Sequence, residues 1–165
     1  MAFTRFDARS DPAIYRMNAD GSEVRRLGAD LGLLMSRPQW SPDGSRMAFS
    51  ANCRLYAMDR DGGNLTQVAT AACGFSFAWS PDGSRFALDR GSENGGIYLI
   101  EADGTPVAEL SATGSQPVWS WDGKKLAFFC GGVCTMNADG SGVVRLSPTA
   151  GWVWGISWKA GAAAP

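Results

Sequence analysis

The fold class this 165-residue chain predicts is all-β: a propeller of four repeats, each of four antiparallel strands. Three observations carry that expectation. The motif Trp40-Ser41-Pro42-Asp43-Gly44 recurs at Trp79 to Gly83, again as Trp119-Ser120-Trp121-Asp122-Gly123, and last as a bare Trp158, spaced by 39 or 40 residues. A second turn signal follows each copy in phase, at Asp20-Gly21, Asp61-Gly62, Asp103-Gly104 and Asp139-Gly140. Between these signals lie only short apolar runs, too brief for helices and without a 3.6-residue period. A fixed period near 40 with internal turns is the mark of radially repeated sheets.

Each repeat resolves into strands A to D. Strand A ends in the tryptophan, as in Phe75 to Trp79. Proline then presets φ and glycine supplies the left-handed residue that closes the A–B hairpin. Strand B is Arg85 to Asp89, matched in the other repeats by Met47-Ala48-Phe49, Leu126-Ala127-Phe128 and Met1-Ala2-Phe3. Strand C is Ile97 to Glu101, matched by Ile14-Tyr15, Leu55-Tyr56 and Val133-Cys134. The second Asp-Gly turn leads to strand D, Val107 to Leu110, with Leu27, Val68 and Leu146 at the same phase. Burying one tryptophan removes roughly 150–250 Å² from water. The equivalent indoles Trp40, Trp79, Trp119 and Trp158 are therefore expected to cement neighbouring blades.

The two ends of the chain are expected to complement each other. Met1 stands seven residues after the phase of a tryptophan that is missing, and Trp158 ends a strand A with no strand B behind it. A blade shared between the termini removes the exposed sheet edges. Closure as a four-bladed ring and pairing with a second copy into an eight-bladed dimer both satisfy this. The propeller domain is expected over residues 1–159, with 160–165 a flexible tail. With its start in mid-blade and no secretory leader, the chain is expected to be a mature form or an excised fragment.

Composition narrows the function. The net charge of −1 has no basic stripe, so no nucleic acid is expected as partner. No apolar run approaches 18 residues, so no membrane span is expected. Histidine is absent, which excludes a Ser-His-Asp constellation and any histidine-ligated metal. Asp59-Arg60-Asp61-Gly62 begins like a calcium loop but lacks a closing glutamate, and a hairpin turn explains it. Asp43, Asp82 and Asp122 recur because an aspartate accepts hydrogen bonds from its own turn amides, whereas a catalytic carboxylate is singular. No cofactor, no metal and no catalytic residue is expected, and the chain is expected not to be an enzyme.

Four cysteines fall in the B–C and D–A connections. Cys53 and Cys73 lie in loops that emerge on one face, and Cys130 and Cys134 flank Gly131-Gly132-Val133. Paired as 53–73 and 130–134 they read as two disulfides in an oxidising compartment, with buried free thiols as the alternative. The 53–73 link closes a loop of about 20 residues, worth about 3 kcal/mol in the chain-entropy model.

The connections that depart from the repeat are the candidate recognition surface. They hold Arg9, Asp11, Leu33, Leu34, Met35, Arg37, Arg54, Phe75, Arg90, Glu93, Trp152 and Trp154. Arginine and aromatic side chains most often dominate protein interfaces. The partner-binding set is therefore Arg9, Arg37, Arg54, Phe75, Arg90, Trp152 and Trp154, and core filling is the other role for Leu33 to Met35 and for the two tryptophans.

The run Trp-Ser-Pro-Asp-Gly-(Ser/Lys)-(Arg/Lys)-apolar-Ala-Phe, continued by apolar-Tyr-x-Met-(Asn/Asp)-x-Asp-Gly, resembles the WD-like repeat of TolB-type β-propellers. The matching residues are 40–49, 55–62, 79–88, 97–104, 119–128 and 133–147. The resemblance implies a binding platform that works outside the cytoplasm, as TolB does in the bacterial periplasm against a lipoprotein. Six repeats are usual in TolB, preceded by an α/β domain, and no family site residue maps by motif onto this chain. The expected function is a scaffold that binds a protein or peptide through its B–C and D–A loops. The rivals are a gating domain for a prolyl-oligopeptidase-type peptidase and a carbohydrate-binding module using Trp152, Trp154 and Phe75.

Overall fold

The computed structural model describes residues 1–6, 12–28, 35–70, 75–91, 95–111, 113–147 and 155–158. Among them are fifteen strands and no helix. The strands form four antiparallel meanders. The first sheet is β1 (Ala2–Phe6), β2 (Pro12–Arg16) and β3 (Arg25–Leu27). The second is β4 (Met35–Trp40), β5 (Arg46–Ala51), β6 (Arg54–Asp59) and β7 (Thr66–Thr70). The third is β8 (Phe77–Trp79), β9 (Arg85–Asp89), β10 (Ile97–Glu101) and β11 (Pro106–Ser111). The fourth is β12 (Ser115–Trp119), β13 (Lys125–Phe129), β14 (Val133–Asn137) and β15 (Val144–Arg145). This is a partial β-propeller of four blades, the fold class expected from the repeat.

The sheets fall into two compact units, residues 1–73 and 74–165. In the first, Ile14 and Leu27 of one sheet meet Met35, Met47, Phe49 and Met58 of the next in a common core, with Trp40 packed against it. In the second, Ala87, Ile97 and Leu99 meet Leu126, Phe128 and Met136, and Trp119 is part of that core. Trp79 is buried with its ring centroid 4.0 Å from that of Phe86. Trp158 is half-buried and its indole Nε1 donates to the Val118 carbonyl at 3.0 Å. Residues 155–158 carry no strand, and the first sheet has three.

The A–B turn is locked by its own side chains. Gly44 N donates to Ser41 O at 2.8 Å with Gly44 at φ 69°, a conformation that glycine adopts without cost. Ser41 Oγ donates to Asp43 Oδ1 at 2.6 Å, and Asp43 accepts from the Ser45 amide at 3.1 Å. Ser80 with Asp82 and Ser120 with Asp122 repeat the arrangement. These bonds favour the charged carboxylate and pull Asp43 down to about 2, the Ser41 hydroxyl first and the Ser45 amide next.

The second Asp-Gly turn has a role beyond its own hairpin. A Cβ on Gly140 would lie 2.8 Å from Leu110 O and 3.1 Å from Leu110 Cα, and one on Gly62 would touch Leu27 Cδ2 at 3.5 Å. These two C–D turns thus rest on strand D of the preceding blade in their own unit, where the apolar residue of that strand receives them. At the last blade Leu146 is 63 % exposed, together with Val143 and Val144, and a Cβ on Gly21 would meet nothing within 4 Å.

Strand A bulges before its tryptophan. Register shifts fall between Ser36 and Gln39 and between Ser115 and Val118, and Arg37 and Gln116 take φ 54° and 53°. Each precedes a proline, Pro38 or Pro117, which has no N–H for the ladder, and the bulge turns that position out of the pairing. Strand A of the third sheet begins two residues later than expected because the Ser76 amide donates to the Asp89 carboxylate at 3.1 Å.

Candidate functional site

In a four-stranded meander the A–B and C–D turns gather at one end of the sheet and the B–C and D–A loops at the other. The loop rim is where the recognition residues are expected, and Arg37, Arg54 and Arg90 are the exposed ones among the described residues. In the second sheet its B–C turn is Asn52-Cys53, at φ 47° and 61°, the double left-handed geometry of a type I′ hairpin. Ala51 pairs with Arg54 across it, so Arg54 leaves the turn exposed. Cys53 is disulfide-bonded, and its expected partner Cys73 lies outside the described residues. Arg37 is exposed and projects from the bulge of β4.

In the third sheet Arg90 follows β9 and lays its guanidinium over the Tyr98 ring, 4.1 Å from the centroid. Stacking of this kind holds the side chain in one orientation while its donors stay in water. In the fourth sheet Cys130 and Cys134 are joined by the expected disulfide, with Cα atoms 5.9 Å apart. Arg145 Nη2 donates to the Cys130 carbonyl at 2.9 Å.

Phase in the repeat does not predict every role. Phase placed Phe75 in the recognition set, but it is 2 % exposed and packs against Phe77 with ring centroids 6.1 Å apart, so it is a core residue. Met35 is likewise buried, in the core-filling role. Arg9, Trp152 and Trp154 lie outside the described residues, as do Asp11, Leu33, Leu34 and Glu93.

Asp89 is the loop-rim residue that sequence reasoning missed. It is 2 % exposed and accepts three backbone amides, Ser76 N at 3.1 Å and Gly91 N at 2.9 Å on Oδ1, and Gln116 N at 2.7 Å on Oδ2. The carboxylate therefore ties β9 to the bulge of β12 in the neighbouring sheet and shapes the loop that presents Arg90. The signal was available: the tenth residue after each motif tryptophan is Ser50, Asp89 or Phe129, and only one is charged.

The turn rim of the third and fourth sheets carries a cleft of about 540 Å³. Pro81, Asp82 and Arg85 line it from one blade and Trp119, Trp121 and Asp122 from the next. Trp121 stands where the other copies have proline, and it is 58 % exposed. Arg85 Nε is paired with Glu101 Oε1 at 3.1 Å. The calcium-like segment folds as a hairpin, with Asp61 Oδ1 accepting the Gly63 amide at 3.2 Å.

No protein-family model matches the chain, and no curated protein matches it either. Solved structures do. TolB from Acinetobacter baumannii superposes with a TM-score of 0.72 at 24% identity, over 89% of this chain and 40% of that one. A protein assigned as TolB from Agrobacterium tumefaciens gives 0.71 at 21% identity, over 87% and 59%. An oligogalacturonate lyase in complex with manganese gives 0.64 at 21% identity, over 82% and 42%. The chain has the TolB-like β-propeller fold and spans less than two thirds of the length of these proteins.

The lyase corrects one expectation. An absence of histidine and a periodic set of aspartates led to the reading that the chain is not an enzyme. That structure shares the fold and is an enzyme, so the fold does not exclude catalysis.

Proposed function

We propose that the chain is a binding platform for a protein or peptide, with the loop rim of the blades as its recognition surface. The observation that carries this reading is the presentation of arginines from constrained backbone. Arg54 leaves a two-residue turn beside a disulfide-bonded cysteine, and Arg90 is stacked on Tyr98. Side chains held in place before binding lose less entropy on association, and arginine is among the residues that dominate interfaces. The Cys130–Cys134 disulfide supports work in an oxidising compartment, outside the cytoplasm.

The exposed strand D of the last blade, with Val143, Val144 and Leu146, supports a further blade packed against it, and a second copy completing a larger ring supplies one. Light scattering tests that: a dimer mass is expected, and a monomer at all concentrations overturns it. Selection of peptides from a random display library tests recognition. Selected peptides are expected to lose about tenfold or more in affinity for Arg54→Ala with Arg90→Ala, at unchanged melting temperature. Equal binding by wild type and variant overturns the reading.

A further inference from the structure

The turn-rim cleft between the third and fourth sheets is independent of the loop rim, and its chemistry is specific. It is built from an exposed aromatic face and two carboxylates, beside the buried indole of Trp119. The face is Trp121, whose indole replaces the proline of the repeat and stands in solvent. A tryptophan costs apolar exposure at a turn where proline serves the backbone better.

The carboxylates are Asp82 and Asp122. Each uses Oδ1 for its turn: Asp82 for the Ser80 hydroxyl, the Ser84 amide at 3.0 Å and the Ser84 hydroxyl at 2.9 Å, Asp122 for the Ser120 hydroxyl at 2.7 Å and the Lys124 amide at 3.1 Å. Among the described residues the Oδ2 atoms of both accept nothing. The serine hydroxyls first, then the turn amides, hold both groups below the usual carboxylate range, so they stay charged. The one arginine of the cleft, Arg85, has its charge offset by Glu101. Lys124 lies near enough to Asp122 to favour its charged form, so the negative balance that remains is that of two carboxylates against one lysine.

Trp119 lines the same cleft and is 9 % exposed, with its Nε1–H closed off from solvent.

We propose that this cleft binds the side chain of an arginine or lysine in a peptide segment, the cation resting on the Trp121 ring between the free oxygens of Asp82 and Asp122. A cation over an indole is the strongest of the aromatic pairings, and charge-assisted bonds to carboxylates add direction. An anionic ligand meets repulsion here. A neutral sugar can stack on Trp121 but gains nothing from the charge of the two aspartates.

The test uses the whole chain and three probes: N-acetyl-arginine amide, its citrulline counterpart, and a glucose oligomer. Indole N–H resonances read the site directly. The arginine probe is expected to shift the Trp119 and Trp121 signals, with binding that weakens as salt rises, while citrulline leaves them in place. Trp121→Pro, which restores the turn residue of the other repeats, is expected to weaken arginine binding about fivefold with the fold intact. Trp121→Ala provides the same reading should the proline variant lose its fold. Equal shifts by citrulline, shifts by the glucose oligomer alone, no shift by any probe, or undiminished binding by both variants each overturn the proposal.

Discussion

Gly140 offers the sharpest test of how these blades hold together. Its φ of 86° costs an L-residue about 1–2 kcal/mol. A Cβ there would also lie 2.8 Å from Leu110 O, 3.1 Å from Leu110 Cα and 3.3 Å from Leu110 Cβ. Backbone atoms of β11 cannot swing aside as a flexible side chain does, so the two sheets must part, at an overpacking cost of about 1–3 kcal/mol. Gly140→Ala is therefore expected to destabilise by about 2–5 kcal/mol. Gly21→Ala is the matched control, because Gly21 has the same turn role and φ 84° but nothing within 4 Å. It is expected to lose only the conformational part, about 1–2 kcal/mol. Urea unfolding followed by tryptophan fluorescence measures both. For a chain of this size 1 kcal/mol moves Tm by about 2–4 °C, so the pair separates by several degrees. Equal losses at the two glycines would refute the claim that the Gly140 turn is seated on strand D of the third sheet.

Two further predictions follow from the carboxylates. Asp89→Asn keeps the shape of the side chain but sets an NH₂ group against a backbone amide, and is expected to cost about 1–3 kcal/mol; loss of the Arg90–Tyr98 stacking should accompany it, read from the ring resonances of Tyr98. Asp20, Asp43, Asp82, Asp103, Asp122 and Asp139 are all held below the ordinary carboxylate value, chiefly by a neighbouring hydroxyl or amide. A folded pKa below the unfolded one adds stability that is present above about 4 and is lost as pH falls toward 2. An acid titration of the urea midpoint is expected to fall through that window, and Asp43→Asn is expected to flatten part of the fall; a midpoint independent of pH there would contradict the hydrogen bonding of the turns.

The legibility of this chain follows from what a repeat encodes. Strands B and C were read to the residue, as Arg85–Asp89 and Ile97–Glu101, because Pro-Asp-Gly and Asp-Gly set their limits through local backbone geometry. The cysteine pair at Cys130 and Cys134 was legible for the same reason, since a five-residue turn brings the two thiols together whatever the rest of the fold does. The roles of single residues were not. Phe75 and Arg90 both belong to loop-rim segments, yet one is core and the other stacked in solvent, because neighbouring strands decide which way each side chain turns.

What the amino-acid order determined by itself was periodicity: all-β architecture, four meanders, and aspartates that bind their own turns. These are short-range effects of proline, glycine and hydrogen-bonding side chains. Contacts across blades were decided only by the tertiary structure. The seat of Gly140 on Leu110, the Gln116 amide on Asp89, and the Trp158 indole on the Val118 carbonyl join residues about 30–40 positions apart. No local rule reaches that far, since such pairs meet only when the packing of apolar faces sets one sheet against the next.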